Sequence, residues 1–158
     1  RLVSRGLGDV YKRQTLPHQV GAVEQIEGVH RGGYVLIREQ GDLDAIVIAT
    51  GSEVALAVEA AGRLNEAGRG VRVVSMPCAE VFEAQEVGYR EAVLPSDMLA
   101  RVAVEAGHID FWYKYVGLDG RVVGMSSFGE SAPAEALFQH FGLTADNVVA
   151  AVEDVILD

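Results

Sequence analysis

Three features of the sequence predict an α/β fold, a three-layer α/β/α arrangement around a mostly parallel sheet of about five strands. Short apolar runs alternate with stretches of helical period, and Gly and Pro punctuate the joins. The run Ala45-Ile46-Val47-Ile48-Ala49 is apolar at every position, which is the pattern of a strand covered on both faces in a parallel sheet. The spacing of these units fits right-handed crossovers between parallel strands.

The elements follow in order. Residues 1–14 carry Arg1, Arg5, Lys12 and Arg13 against Asp9, a basic start on an acidic chain, and are expected to be a non-native or remnant tail similar to adapter-derived translations at the ends of fragmentary reading frames. Residues 15–31 read as a connector punctuated by Pro17, Gly21 and Gly28, with one helical turn around Val23 and Ile26. The α/β domain is then expected over residues 32–158. Tyr34–Ile37 is its first short strand and residues 45–49 the next. Thr50-Gly51-Ser52-Glu53 has the form of a capping box, and Val54, Ala57, Val58, Ala61 and Leu64 follow as one apolar stripe that ends at Gly68 and Gly70. Val71, Val73 and Val74 mark a strand stopped by Pro77. One helical stretch from about Glu80 toward Leu94 is closed by Pro95. Residues 99–104 predict another buried strand, followed by a turn at Glu105-Ala106-Gly107 and a short helix with Phe111, Trp112, Tyr115 and Val116 on one side. A strand at residues 121–125, a polar turn, apolar residues after Pro133 and an amphipathic helix from Asp146 to Ile156 complete the series.

At 158 residues the chain is long enough for one domain that buries about 70% of its unfolded surface. With 13 Lys+Arg against 23 Asp+Glu the formal charge is −10, the wrong sign for following a phosphate backbone, so nucleic-acid and anionic-membrane partners are not expected. Cys78 is the single cysteine and cannot form an internal disulfide; no apolar run approaches a membrane span and the start lacks a signal-peptide core. A cytoplasmic location is the expectation.

Residue chemistry assembles no complete active site. Thr50-Gly51-Ser52 lies where a phosphate cradle would, but no G-x-G-x-x-G or P-loop pattern is present, and Glu53 puts a carboxylate where an anion would bind; plain capping is the preferred reading. Ser126, Ser127 and Ser131 with His108 and His140 invite a hydrolase triad, yet the glycines at 124 and 129 do not form the G-x-S-x-G elbow. His18, His30, His108 and His140 lack metal-ligand spacing, and Cys78 reads as a packed small residue. Glu105 follows Val104 at the carboxyl end of a predicted parallel strand, where open sheets hold ligands. It has two readings: a ligand-facing acid, or a carboxylate accepting backbone N–H bonds before Gly107. The aromatic group from Phe111 to Tyr115 reads as packing rather than as a base-stacking platform.

Several segments together resemble the C-terminal domain of transketolase. They are Ala49-Thr50-Gly51-Ser52-Glu53-Val54, the run from Arg101 through Val104-Glu105-Ala106-Gly107 and Phe111-Trp112-Tyr113-Lys114-Tyr115 to Gly120, and Gly124-Met125-Ser126-Ser127-Phe128-Gly129-Glu130-Ser131-Ala132-Pro133, leading into residues 141–148. Leu16-Pro17-His18-Gln19, Arg31 to Leu36 and Val73 to Pro77 are also similar. Deoxyxylulose phosphate synthase and the β chains of oxoacid dehydrogenases share this domain's fold, but the turn before Pro133 and Trp112-Tyr113-Lys114-Tyr115 favour transketolase.

The resemblance implies a fragment of a homodimeric, three-domain enzyme that moves a two-carbon ketol unit from a ketose phosphate to an aldose phosphate in the pentose phosphate pathway, using thiamine diphosphate and Mg²⁺. This part's role would be structural and dimer-supporting, and alone it would be inactive. The chain's two asparagines, Asn65 and Asn147, follow no Gly-Asp-Gly motif, so no cofactor, metal or catalytic residue is expected here. Arg13-Gln14-Thr15-Leu16-Pro17 resembles the family's Arg-Gln-Asn-Leu-Pro segment, which implies a substrate-phosphate contact for Arg13, although Thr15 departs from the usual Asn. The competing reading is a freestanding interaction or small-ligand module using the sheet edge near Glu105 and Gly107.

Overall fold

The computed structural model describes residues 23–127, 129–131 and 133–157. The expectations placed on residues 1–22, those for the tail and Arg13 included, lie outside the described residues. Within the stretch read as a connector, Val23–His30 forms a helix of two turns, α1, which packs against strand β1, Tyr34–Ile37.

Four more strands complete one sheet: β2 (Ala45–Ala49), β3 (Val71–Ser75), β4 (Arg101–His108) and β5 (Arg121–Met125), in the order β1-β3-β2-β4-β5. All neighbours are parallel except β1, which runs antiparallel to β3 at one edge. The chain leaves β2 toward β3 on one side and returns to place β4 on the other, so the strand order reverses between β2 and β4.

The strand period of two sorts side chains into two cores. Ala45, Val47, Ala49, Val71, Val73, Val102 and Val104 face one layer, made by α2 (Val54–Glu66) and α7 (Ala145–Leu157), where Ala57, Ala61, Leu64, Val148 and Val152 are buried. Ile46, Ile48, Val74 and Ala103 face the other, made by α3 (Ala79–Glu83), α4 (Val87–Val93) and α5 (Tyr113–Val116), where Phe82, Val93, Trp112 and Tyr115 are buried. Burying a Val, Leu, Ile or Phe side chain contributes about 1.5–3 kcal/mol, so these two faces carry most of the driving force for the fold. The remaining helix, α6 (Ala134–His140), has no buried residue.

Two polar devices close the helical layers onto the sheet. Asn65, 6% exposed, uses its amide like a strand neighbour: Nδ2 donates to Val71 O at 3.1 Å while Oδ1 accepts Val71 N–H at 2.9 Å. Arg72 lies in the middle of β3, where burial of a lone charge would be prohibitive; it donates twice to Glu39, at 2.8 and 2.6 Å, and once each to the carbonyls of Ala92 and Val93. Two glycines are required by close approach. A Cβ at Gly70 would stand 1.6 Å from Asp42 O, and at Gly32, whose φ is +81°, it would meet Cys78 O at 2.3 Å.

Three local expectations are corrected. The helical stretch from Glu80 toward Leu94 is two helices, because Phe82 and Tyr89 both converge on Gly33. The Phe82 ring packs against it, and the Tyr89 hydroxyl donates to its carbonyl at 2.8 Å. In a straight helix the two would stand about 10.5 Å apart along the axis. The strand expected at residues 99–104 begins at Arg101 and runs on to His108, so Glu105, Ala106 and Gly107 belong to a bulged strand rather than a turn. The pairs Val104–Val123 and His108–Met125 flank them, so the ladder resumes beyond the irregularity, with Gly107 and Gly124 leaving room for close approach. Leu99, expected in that buried strand, is 63% exposed.

Candidate functional site

The reversal of strand order between β2 and β4 marks the sheet edge where α/β proteins place ligands, and both segments singled out in the sequence come to it. Thr50 follows β2 in an extended conformation, and Gly51, at φ +59°, starts a 3-10 turn over Gly51–Glu53 that feeds α2. The expected capping box does not form: Thr50 makes no side-chain cap bond, because the left-handed Gly51 tightens the turn and carries Glu53 inward. Glu53 is 4% exposed, and its carboxylate accepts the Ser52 hydroxyl at 2.5 Å. A buried carboxyl group thus fills the mouth of this turn, where a phosphate or diphosphate would otherwise sit.

Across the edge, Glu105 is half-buried and accepts the indole N–H of Trp112 at 2.6 Å. This replaces the expected set of backbone N–H donors. The bond pins the 3-10 turn Ile109–Trp112 and α5 to the carboxyl end of β4, and Trp112 itself is 2% exposed. The aromatic group packs on itself: the Trp112 ring lies 5.2 Å from Phe111 and 5.7 Å from Tyr115. Phe111 and Tyr113 remain 43% exposed.

The other candidates are not brought together. Ser126, Ser127 and Ser131 are exposed, and none hydrogen-bonds a histidine. His108 has Asp110 at 3.4 Å, and His140 has Glu130 at 4.0 Å, all on exposed surface. Cys78 is half-buried, with Sγ 3.5 Å from Glu80. Among the described residues no group of three His, Cys, Asp or Glu side chains could hold a metal ion, and no helix is long and apolar enough to cross a membrane.

The strongest electrostatic perturbations lie away from this edge and have structural causes. Hydrogen bonds from Arg72 hold the Glu39 carboxyl below its ordinary range. Lys114 and then the Tyr115 hydroxyl do the same for Glu83, while burial and the Glu83 bond push the Tyr115 phenol up. Sequence reasoning missed the Glu83–Lys114–Tyr115 group and the Glu39–Arg72 pair; a lone Arg inside an otherwise apolar strand was the available signal for the second.

Comparison with known proteins agrees with this geometry. The family model for the transketolase-like TK C-terminal domain matches residues 32–144. Transketolase 2 of Vibrio parahaemolyticus is 53% identical over 147 residues, 93% of this chain but 22% of that protein. Among solved structures, transketolase from Leishmania mexicana superposes with a TM-score of 0.82 at 44% identity, covering 92% of this chain and 20% of its own. Transketolase from Pichia stipitis in complex with sedoheptulose-7-phosphate gives a TM-score of 0.79 at 36% identity, with 92% and 21% covered. The chain thus spans about a fifth of the length of the curated relatives it matches.

Proposed function

The chain belongs to the transketolase family, whose C-terminal domain it carries, and on that premise we propose that it is the structural, dimer-supporting part of a longer enzyme. That enzyme transfers a two-carbon ketol unit from a ketose phosphate to an aldose phosphate, in the cytoplasm and within the pentose phosphate pathway. The observation that carries this reading is the match to transketolases over more than nine-tenths of the chain, in sequence and in fold. The sugar phosphate in the Pichia stipitis complex supports the substrate class. The contact role is supported by α6, which has no buried residue, and by the exposed Phe111, Tyr113 and Leu118.

Thiamine diphosphate and Mg²⁺ do not fit the described residues. No acidic or imidazole cluster suits the metal, and Glu53 occupies the one turn shaped like an anion cradle. Both groups are assigned to domains outside this chain. The isolated chain should therefore neither bind thiamine diphosphate with Mg²⁺ nor transfer ketol groups; calorimetry showing micromolar binding at a defined stoichiometry would overturn this part of the reading.

Arg13 is proposed to contact the substrate phosphate. A guanidinium offers planar, permanently charged donors to two phosphate oxygens at once, and phosphate binding remote from the reacting carbons positions the ketose. In the complete enzyme, Arg13→Ala should weaken phosphorylated substrates by about 1.5–3 kcal/mol, the scale of a hydrogen bond to a charged group, and spare unphosphorylated ketoses. Steady-state kinetics on the two substrate types decide it: equal losses, or none, remove Arg13 from the substrate site.

A further inference from the structure

The helical layer formed by α3, α4 and α5 is not closed. Between these helices lies a cleft of about 550 Å³ whose walls include Arg90, Arg101, Lys114, Glu83 and Glu91. On a chain of formal charge −10, three cations against two carboxylates is a local reversal of sign.

The internal pairing uses up part of this set and leaves the rest unsatisfied. Lys114 Nζ lies 2.6 Å from Glu83 Oε1, and Glu83 also accepts the Tyr115 hydroxyl. Glu91 accepts the Ser96 backbone N–H at 2.9 Å. Arg101 is held in place by three carbonyl oxygens, those of Met98, Tyr115 and Pro95, one at each nitrogen, and Glu91 is the carboxylate that acts on its charge. Arg90 has no such bonds. Its Nε is the one buried side-chain nitrogen or oxygen among the described residues without a hydrogen-bond partner, and no carboxylate pairs with its terminal nitrogens. Arg90 is half-buried as a residue, so the guanidinium is sealed at its inner N–H while no hydrogen bond or ion pair holds its outer fork. Glu83 and Glu91 feel its charge, but neither forms an ion pair with it, so the fork can take a further acceptor.

We propose that this cleft binds a small oxyanion, a carboxylate or phosphate group, end-on to the Arg90 fork, with the fixed charge of Arg101 adding long-range attraction. Planar two-point pairing is what a guanidinium offers such a group. The site is separate from the sheet edge and does not depend on the role proposed for the domain.

The test is NMR titration of the 158-residue chain with inorganic phosphate and, separately, sodium acetate, against sodium chloride at matched ionic strength. The expected result is saturable shifts at Arg90, Glu91, Ser96 and Arg101 at millimolar anion and none with chloride, the tighter of phosphate and acetate naming the group preferred. Arg90→Gln should weaken binding at least about tenfold, since it removes both the charge and the fork, while Arg63→Gln on α2 should leave it unchanged. Glu91→Gln, which keeps an acceptor for Ser96 and removes an opposing charge, should tighten binding. Shifts that do not saturate, that chloride reproduces, or that persist undiminished in Arg90→Gln would overturn the proposal; should that variant fail to fold, an unchanged affinity in Glu91→Gln would overturn it as well.

Discussion

Asn65 and Arg72 are polar residues in places where the physics of burial permits polarity only when every donor and acceptor is met. Asn65→Ala would leave the Val71 N–H and C=O without their partners in the core between α2 and β3, at a cost of about 2–4 kcal/mol in denaturant-monitored unfolding. Among the carboxyls held below their ordinary range, Glu39 is the one paired with a buried cation, and it contributes to the pH dependence. Its carboxyl pKa is depressed in the folded state by the Arg72 hydrogen bonds, so the pair's stabilisation is complete above the unfolded carboxylate value, about 4.3, and is lost as pH falls through the lower folded value. Unfolding free energy measured from neutral pH downward should therefore decline through the carboxylate range. In Glu39→Gln the decline should be shallower and the neutral-pH stability lower by about 3 kcal/mol, because the mutation leaves Arg72 charged and buried with carbonyl partners alone. A parallel decline in both proteins would show that other carboxylates control the acid limb.

Elements were legible where burial alone decides them. The apolar run at residues 45–49 is buried at every position, and the stripe Ala57, Ala61, Leu64 faces the sheet, because strand and helix periods are direct readouts of which side meets the core. Legibility failed where a distant contact chooses the local conformation. Glu105-Ala106-Gly107 has turn-like composition but lies between the β5 pairs of Val104 and His108, with Glu105 tied to the Trp112 indole. The Thr50 capping pattern is present in the sequence, yet the left-handed Gly51 directs Glu53 into the protein. The split between α3 and α4 depends on Gly33, some fifty residues away in the chain, which periodicity within a helix cannot report.

For the whole molecule, the mostly parallel sheet follows from the alternation of strands and helices, whereas its order does not, and the candidate site at the reversal between β2 and β4 is occupied by the protein's own contacts: Ser52 with Glu53, and Trp112 with Glu105. That is why the residues read as chemically suggestive assemble into scaffold, and why the functional reading rests on kinship with transketolases rather than on a catalytic constellation. The most direct measurement replaces the matching C-terminal segment of Vibrio parahaemolyticus transketolase with residues 32–158 of this chain and assays ketol transfer together with the sedimentation mass. The account predicts a dimer that retains cofactor binding and transfers the two-carbon unit within about tenfold of the parent rate, a barrier change of roughly 1.4 kcal/mol. A folded chimera that binds cofactor but stays monomeric or transfers nothing would contradict it.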